Sequence, residues 1–140
     1  MAGNAIALQP PKAYDLLAAQ PASSKGLSES EKSNIVVSAV ADTDGSNHVL
    51  SRFGDPIWDF RPYFEQSNVA DGQKYIPWPE DCSQELVQDC KAVLYAWFKR
   101  GLPGSKPPVA MGICQAAITS AIPMMRWLTT LNIKRFDQVK

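Results

Sequence analysis

The densest run of oxygen-bearing side chains is Asp42-Thr-Asp-Gly-Ser-Asn47, the kind of residues that cage a calcium ion. A calcium loop of that type carries acidic ligands at its first and twelfth positions around a glycine at the sixth. With Gly45 in sixth place, those positions fall on Val40 and Ser51, and neither supplies a carboxylate. The run is therefore turn chemistry. It predicts a β-hairpin turning near Asp44-Gly45, entered from Ile35-Val-Val-Ser-Ala-Val40 and left through His48-Val-Leu50.

Other reactive constellations are sparse. His48 is the single histidine, which argues against Ser-His-Asp or Cys-His catalysis. The three cysteines contain no Cys-x-x-Cys pair, and one histidine beside them is too few ligands for zinc. Cys82 and Cys90 lie eight residues apart. That is ~12 Å along a helix, twice the usual Cα separation of a disulfide. Reduced thiols in a cytoplasmic protein are expected. Neither Gly-x-x-x-x-Gly-Lys-Ser/Thr nor Gly-x-Gly-x-x-Gly occurs, so no nucleotide cradle is expected. Asp55 and Asp59 read as loop polarity, not as an acid/base couple. The sequence predicts no catalytic residue, metal, cofactor or small-molecule substrate.

The elements that organise the chain lie between Ser83 and Phe136. Leu86, Cys90, Val93, Leu94 and Trp97 recur at helical spacing. Asp81 or Ser83 can cap that helix, and Lys99, Arg100 and Gly101 suit its end. Leu102-Pro-Gly-Ser-Lys-Pro-Pro108 cannot continue a helix. A second helix is expected from near Pro108 through Ile113, Ala117, Ala121, Met125, Leu128 and Leu131, kinked at Pro123. The two are expected to be antiparallel neighbours.

Upstream, residues 1–34 are punctuated by Pro10, Pro11 and Pro21 and rich in Ser, Glu and Lys, and a weakly ordered segment is expected. A short helix around Ala13–Ala19 would need a surface to dock on. Residues 35–80 are read as a small β/loop region. There Ser51-Arg-Phe-Gly-Asp-Pro-Ile-Trp-Asp-Phe60 brings large anchors to a core, and Lys74-Tyr-Ile-Pro-Trp78 could pair with Ile57–Phe60. Residues 81–140 form the helical part. The expected fold class is mainly α: a helical hairpin preceded by a small β-hairpin region and a disordered N-terminus. Nothing resembles an export signal or a membrane span. Two helices and short strands bury little, so the chain alone is expected to be partly molten.

Net charge is zero, but it is unevenly placed. Residues 1–80 hold six Lys/Arg against ten Asp/Glu, and residues 81–140 hold eight against four. The helical half is the half that could meet a polyanion.

Two groups of residues carry a family resemblance. One is Ser51-Arg52-Phe53-Gly54-Asp55 with Ile57-Trp58-Asp59-Phe60. The other is Met124-Met-Arg-Trp-Leu128, followed by Asn132-Ile133 and Phe136-Asp137. In that order they resemble the N-terminal region of tyrosine recombinases (phage-type integrases), over residues 48–139. Pro123 and the Pro107-Pro108-Val109 start of the second helix depart from the family pattern. The resemblance implies the first part of a helical core-binding domain, which clamps DNA during integration and recombination of a mobile element. Catalysis would belong to a separate downstream domain with Arg, His-x-x-Arg and a nucleophilic Tyr. Here His48 stands four residues before Arg52, the wrong spacing, and Tyr14, Tyr63, Tyr75 and Tyr95 lie before or within the helical part. This chain should not cleave DNA, and a fragment or truncated product is expected. On this reading Lys99, Arg100, Lys106, Arg126, Lys134 and Arg135 meet phosphates of double-stranded DNA, and self-association with other protomers is possible. The competing reading is a small helical interaction module with no DNA role. Its apolar face (Met124, Met125, Trp127, Leu128) would meet a partner protein.

Overall fold

The computed structural model describes residues 13–64, 71–101, 103–104 and 106–139. The fold is mixed: 47% is helix, beside two two-stranded antiparallel sheets. The N-terminal residues 1–12, expected to be disordered, lie outside the described residues. Residues 13–34, expected to be weakly ordered, contain two short helices, α1 (Tyr14–Ala18) and α2 (Glu29–Ser33). Ser28 caps α2 in a reciprocal box with Glu31, which satisfies two otherwise free N–H groups.

The first sheet is the expected hairpin, β1 (Val36–Ala41) and β2 (Asn47–Arg52). Its turn is closed by Gly45 N–H on the Asp42 carbonyl at 2.9 Å and Asp42 N–H on the Ser46 carbonyl at 2.7 Å. Asp44 accepts from Ser46 at 2.6 Å, which holds its carboxyl below the usual carboxylate range. β1 is buried on both faces. One side (Val36, Ala39) receives Ala13, Leu16 and Leu17 from α1, and the other (Val37) enters the main core. The docking surface that α1 needs is thus β1 itself. The second sheet pairs β3 (Ile57–Asp59) with β4 (Tyr75–Pro77), Trp58 opposite Ile76.

Two long helices follow. α3 (Gln84–Arg100) starts at Ser83, whose hydroxyl accepts from Leu86 N–H at 3.1 Å. It ends at Gly101, whose φ of +76° suits glycine and where a Cβ would sit 2.8 Å from the Lys106 backbone. The return helix spans 21 residues as α4 (Ala110–Ala116), a π stretch (Ala117–Ala121) and α5 (Ile122–Thr130). Pro123 has no N–H and its ring crowds the carbonyl four residues back. Widening the preceding turn relieves that contact, so the helix continues through the proline.

The apolar phase of both helices differs in part from the sequence spacing. On α3 the buried row is Leu86, Val87, Cys90, Lys91, Leu94 and Tyr95, while Val93 is 60% exposed. Beyond the π stretch it is Ile122, Met125 and Leu128, and Leu131 is 52% exposed. A single cluster of buried side chains joins these to Phe53, Trp58, Phe60, Ile76 and Trp78. No described helix is long and apolar enough to cross a membrane.

Candidate functional site

The six basic residues singled out from sequence fall into two groups at opposite ends of α3, ~25 Å apart at 1.5 Å per residue. Lys99, Arg100 and Lys106 stand at its C-terminal end. Arg100 and Lys106 are exposed. Lys99 is half-buried and donates to the Leu17 carbonyl at 2.6 Å, and burial lowers its pKa. Its first role is therefore to tie α1 to the end of α3.

Arg126, Lys134 and Arg135 gather at the N-terminal end because α5 returns antiparallel and its exit segment straps across α3. Ser83 Oγ donates to the Lys134 carbonyl at 2.6 Å, and Phe136 N–H donates to Asp89 at 3.3 Å. Arg126 lies 3.6 Å from Asp81. Arg135 lies 3.5 Å from Glu85 and 3.3 Å from Asp137. All of these side chains are more than half exposed. Such pairs contribute little stability and exchange readily with other anions.

The string that carries the family resemblance is almost wholly structural. Phe53, Trp58 and Phe60 are buried, and Trp58 Nε1 donates to the Phe53 carbonyl at 3.2 Å. Gly54 lies so close to α2 that a Cβ would approach Ser33 Cβ to 2.8 Å. Asp55 accepts from Arg52 N–H at 2.8 Å and closes the turn. Ser51 Oγ accepts from Asp59 N–H at 3.0 Å, and Ser38 Oγ donates to the Asp59 carbonyl at 2.7 Å. The remaining hydroxyl proton, on Ser51, then points to Ser38 Oγ. Burial acts to raise the Asp59 carboxyl, but hydrogen bonds from Arg61 at 2.9 Å hold it below the ordinary value. Asp59 is thus bound to Arg61 and is not poised as a proton carrier with Asp55.

One residue escaped the sequence reading. Lys91 is 3% exposed, and its ammonium lies 5.8–5.9 Å from the ring centroids of Phe53, Trp58 and Trp78. Nζ donates to the carbonyls of Phe53 and Asp55, both at 2.8 Å. Burial pulls its pKa down to about 8, against a smaller opposing effect of Asp55. A lysine of that pKa can act as a nucleophile, but this one is closed to solvent and held by two carbonyls. Its placement four residues from Val87 and Tyr95, in the apolar row, is the signal that would have found it.

The three thiols lie in the core. Cys82, Cys90 and Cys114 are free and buried, and desolvation pushes the Cys90 and Cys114 thiols up to about 12. His48 is exposed in β2. Among the described residues no cluster of His, Cys, Asp or Glu could hold a metal ion. Comparison with protein families, with characterised proteins and with solved structures finds no match to the chain.

Proposed function

We propose that this chain is a DNA-binding, non-catalytic N-terminal part of an integrase-like tyrosine recombinase. In this reading α3 and the return helix are the opening pair of a core-binding-type bundle that clamps double-stranded DNA. The observation that carries it is where the cations of the helical half fall. Arg100, Lys106, Arg126, Lys134 and Arg135 are exposed, while Lys91 is sequestered under the aromatic rings. Exposed cations on long side chains at both ends of one rigid helix suit gripping a phosphate backbone, which fixes position without reading bases. The test is anisotropy of a labelled duplex titrated with salt. With about four phosphate contacts the log–log slope is near −3.6, from ~0.9 per contact. Changing Arg126, Lys134 and Arg135 together to Glu abolishes binding. A slope near zero rejects the proposal.

A second reading, a helical protein-interaction module without a DNA role, is favoured by one observation. Met124, Trp127 and Leu131 form an exposed apolar row on α5, at 39%, 61% and 52% exposure. In that case the triple charge reversal leaves function intact and Trp127→Ala removes it.

A further inference from the structure

The outward side of α3 carries opposite charge at its two ends, and its N-terminal half is acidic. A recess of about 780 Å³ runs there, with Glu85, Asp89 and Val93 on its floor and Glu29, Phe136 and Asp137 among its walls. Its four carboxylates (Glu29, Glu85, Asp89, Asp137) outnumber its two cations, Lys32 and Arg135, so it favours a cation. The C-terminal half differs. Among the described residues, a hollow of about 520 Å³ there is lined by α3 and its capping glycine: Val93, Ala96, Trp97, Arg100 and Gly101. Arg100 makes no ion pair among the described residues. Val93 belongs to both hollows, midway along the helix.

The sequence of this face is self-complementary. Counted inward from either end, Glu85 corresponds to Arg100, Gln88 to Trp97, Asp89 to Ala96 and Ala92 to Val93. A two-fold axis between positions 92 and 93 would bring opposite charges together at both ends and apolar side chains together in the middle. A two-fold contact must match a patch to itself in this way.

We propose that a second copy of this chain docks on α3, helix against helix and antiparallel, with Arg100 of each copy meeting Glu85 of the other. Each Glu85 then shares its carboxylate between the incoming arginine and its own Arg135. A face ~22 Å long buries less than the ~1,200 Å² of a stable pair. The dimer is therefore weak, forms at high protein concentration, and is weakened by salt.

Sedimentation equilibrium of the full chain without DNA tests this independently of the proposed function. The expected result is a concentration-dependent approach to twice the monomer mass. Glu85→Arg alone and Arg100→Glu alone each weaken association by roughly tenfold or more, because two attractions become repulsions. An equimolar mixture of the two variants associates, since only the mixed pair restores opposite charges at both ends. Val93→Asp, at an exposed position, removes the dimer by placing like charges at the axis, with near-ultraviolet circular dichroism confirming an unchanged core. A chain that stays monomeric throughout, a single variant that dimerises as the parent does, or a mixture that stays monomeric overturns the proposal.

Discussion

Lys91 and Phe53 are joined twice: Nζ donates to the Phe53 carbonyl at 2.8 Å and lies 5.9 Å from the centre of the same residue's ring. With a second bond to the Asp55 carbonyl, this pins the middle of α3 to the turn between β2 and β3. The tie makes the helical and β parts cooperate, since the turn loses its buried donor if the helix leaves.

The first expectation concerns pH. With a folded pKa of about 8 against an ordinary 10.5, Lys91 binds fewer protons folded than unfolded across that window. Stability therefore rises with pH from about 8, by up to ~1.4 kcal/mol per unit. Cys90 and Cys114 oppose it above their ordinary 9.0, because the unfolded thiols ionise while the buried ones, at about 12, do not. Urea denaturation should show a shallow maximum near about pH 9. Lys91→Met should remove the rise between pH 8 and 9 while leaving the fall above it. A parent protein that weakens steadily from pH 7 to 9 contradicts the assignment.

A second expectation lies at Gly54. Gly54→Ala drives a methyl group against Ser33 and should cost about 1–3 kcal/mol, as overpacking does. Adding Ser33→Gly removes the clashing carbon. A double-mutant cycle should then return a favourable coupling of 0.5 kcal/mol or more, roughly. Strictly additive losses would show that the close approach does not matter.

Ser83 serves two ends of the structure at once, capping α3 and donating to the Lys134 carbonyl. Ser83→Ala should cost about 1–2 kcal/mol, at the upper end of cap losses. Hydrogen exchange should quicken in the 133–138 strap as well as at the first turn of α3. Exchange changes confined to α3 would mean that the strap is held by Phe136 and Asp89 alone.

The rings give a fourth check. Trp58 and Trp78 meet edge to face at 5.0 Å, and Phe53 contacts both Trp58 and Tyr95. Fixed aromatic neighbours of this kind should produce sharp near-ultraviolet circular dichroism bands that disappear in one step with urea. The sequence alone suggests a partly molten chain, and broad, weak bands would support that expectation instead.

The last expectation bears on the DNA proposal. Because the exposed cations sit at both ends of α3, Arg100→Glu with Lys106→Glu should reduce the salt slope by about 1.8. Reversing the three at the other end should abolish binding. Loss from one end only would confine the contact surface to that end.

Local chemistry was legible in advance wherever a residue acts on its near neighbours. Ser83 opens α3, Gly101 closes it, Asp42 to Ser46 makes the hairpin turn, and β4 pairs with β3 as anticipated. What escaped depends on distant partners. Lys91 counts as polar in any periodicity, and its burial is made tolerable by two carbonyls and three aromatic rings from elsewhere in the chain. Of the candidate cations, sequence could not tell that Lys99 would hold α1, or that Arg135 would fold back beside Glu85. Those outcomes follow from an 82-residue separation and from the return of the hairpin, respectively.

The wide turn ahead of Pro123 acts on residues far downstream. Buried positions advance by three or four along the return helix, except at the step from Ala117 to Ile122, which is five. Were that turn regular with every residue kept, the inward phase set by Ile113 and Ala117 would continue through Ala121, Met124, Leu128 and Leu131. One backbone irregularity thus decides which oily side chains of the last helix face water. Deleting a single residue between 117 and 122 would make that step four, restoring a regular turn while Ile122, Met125 and Leu128 keep facing the core.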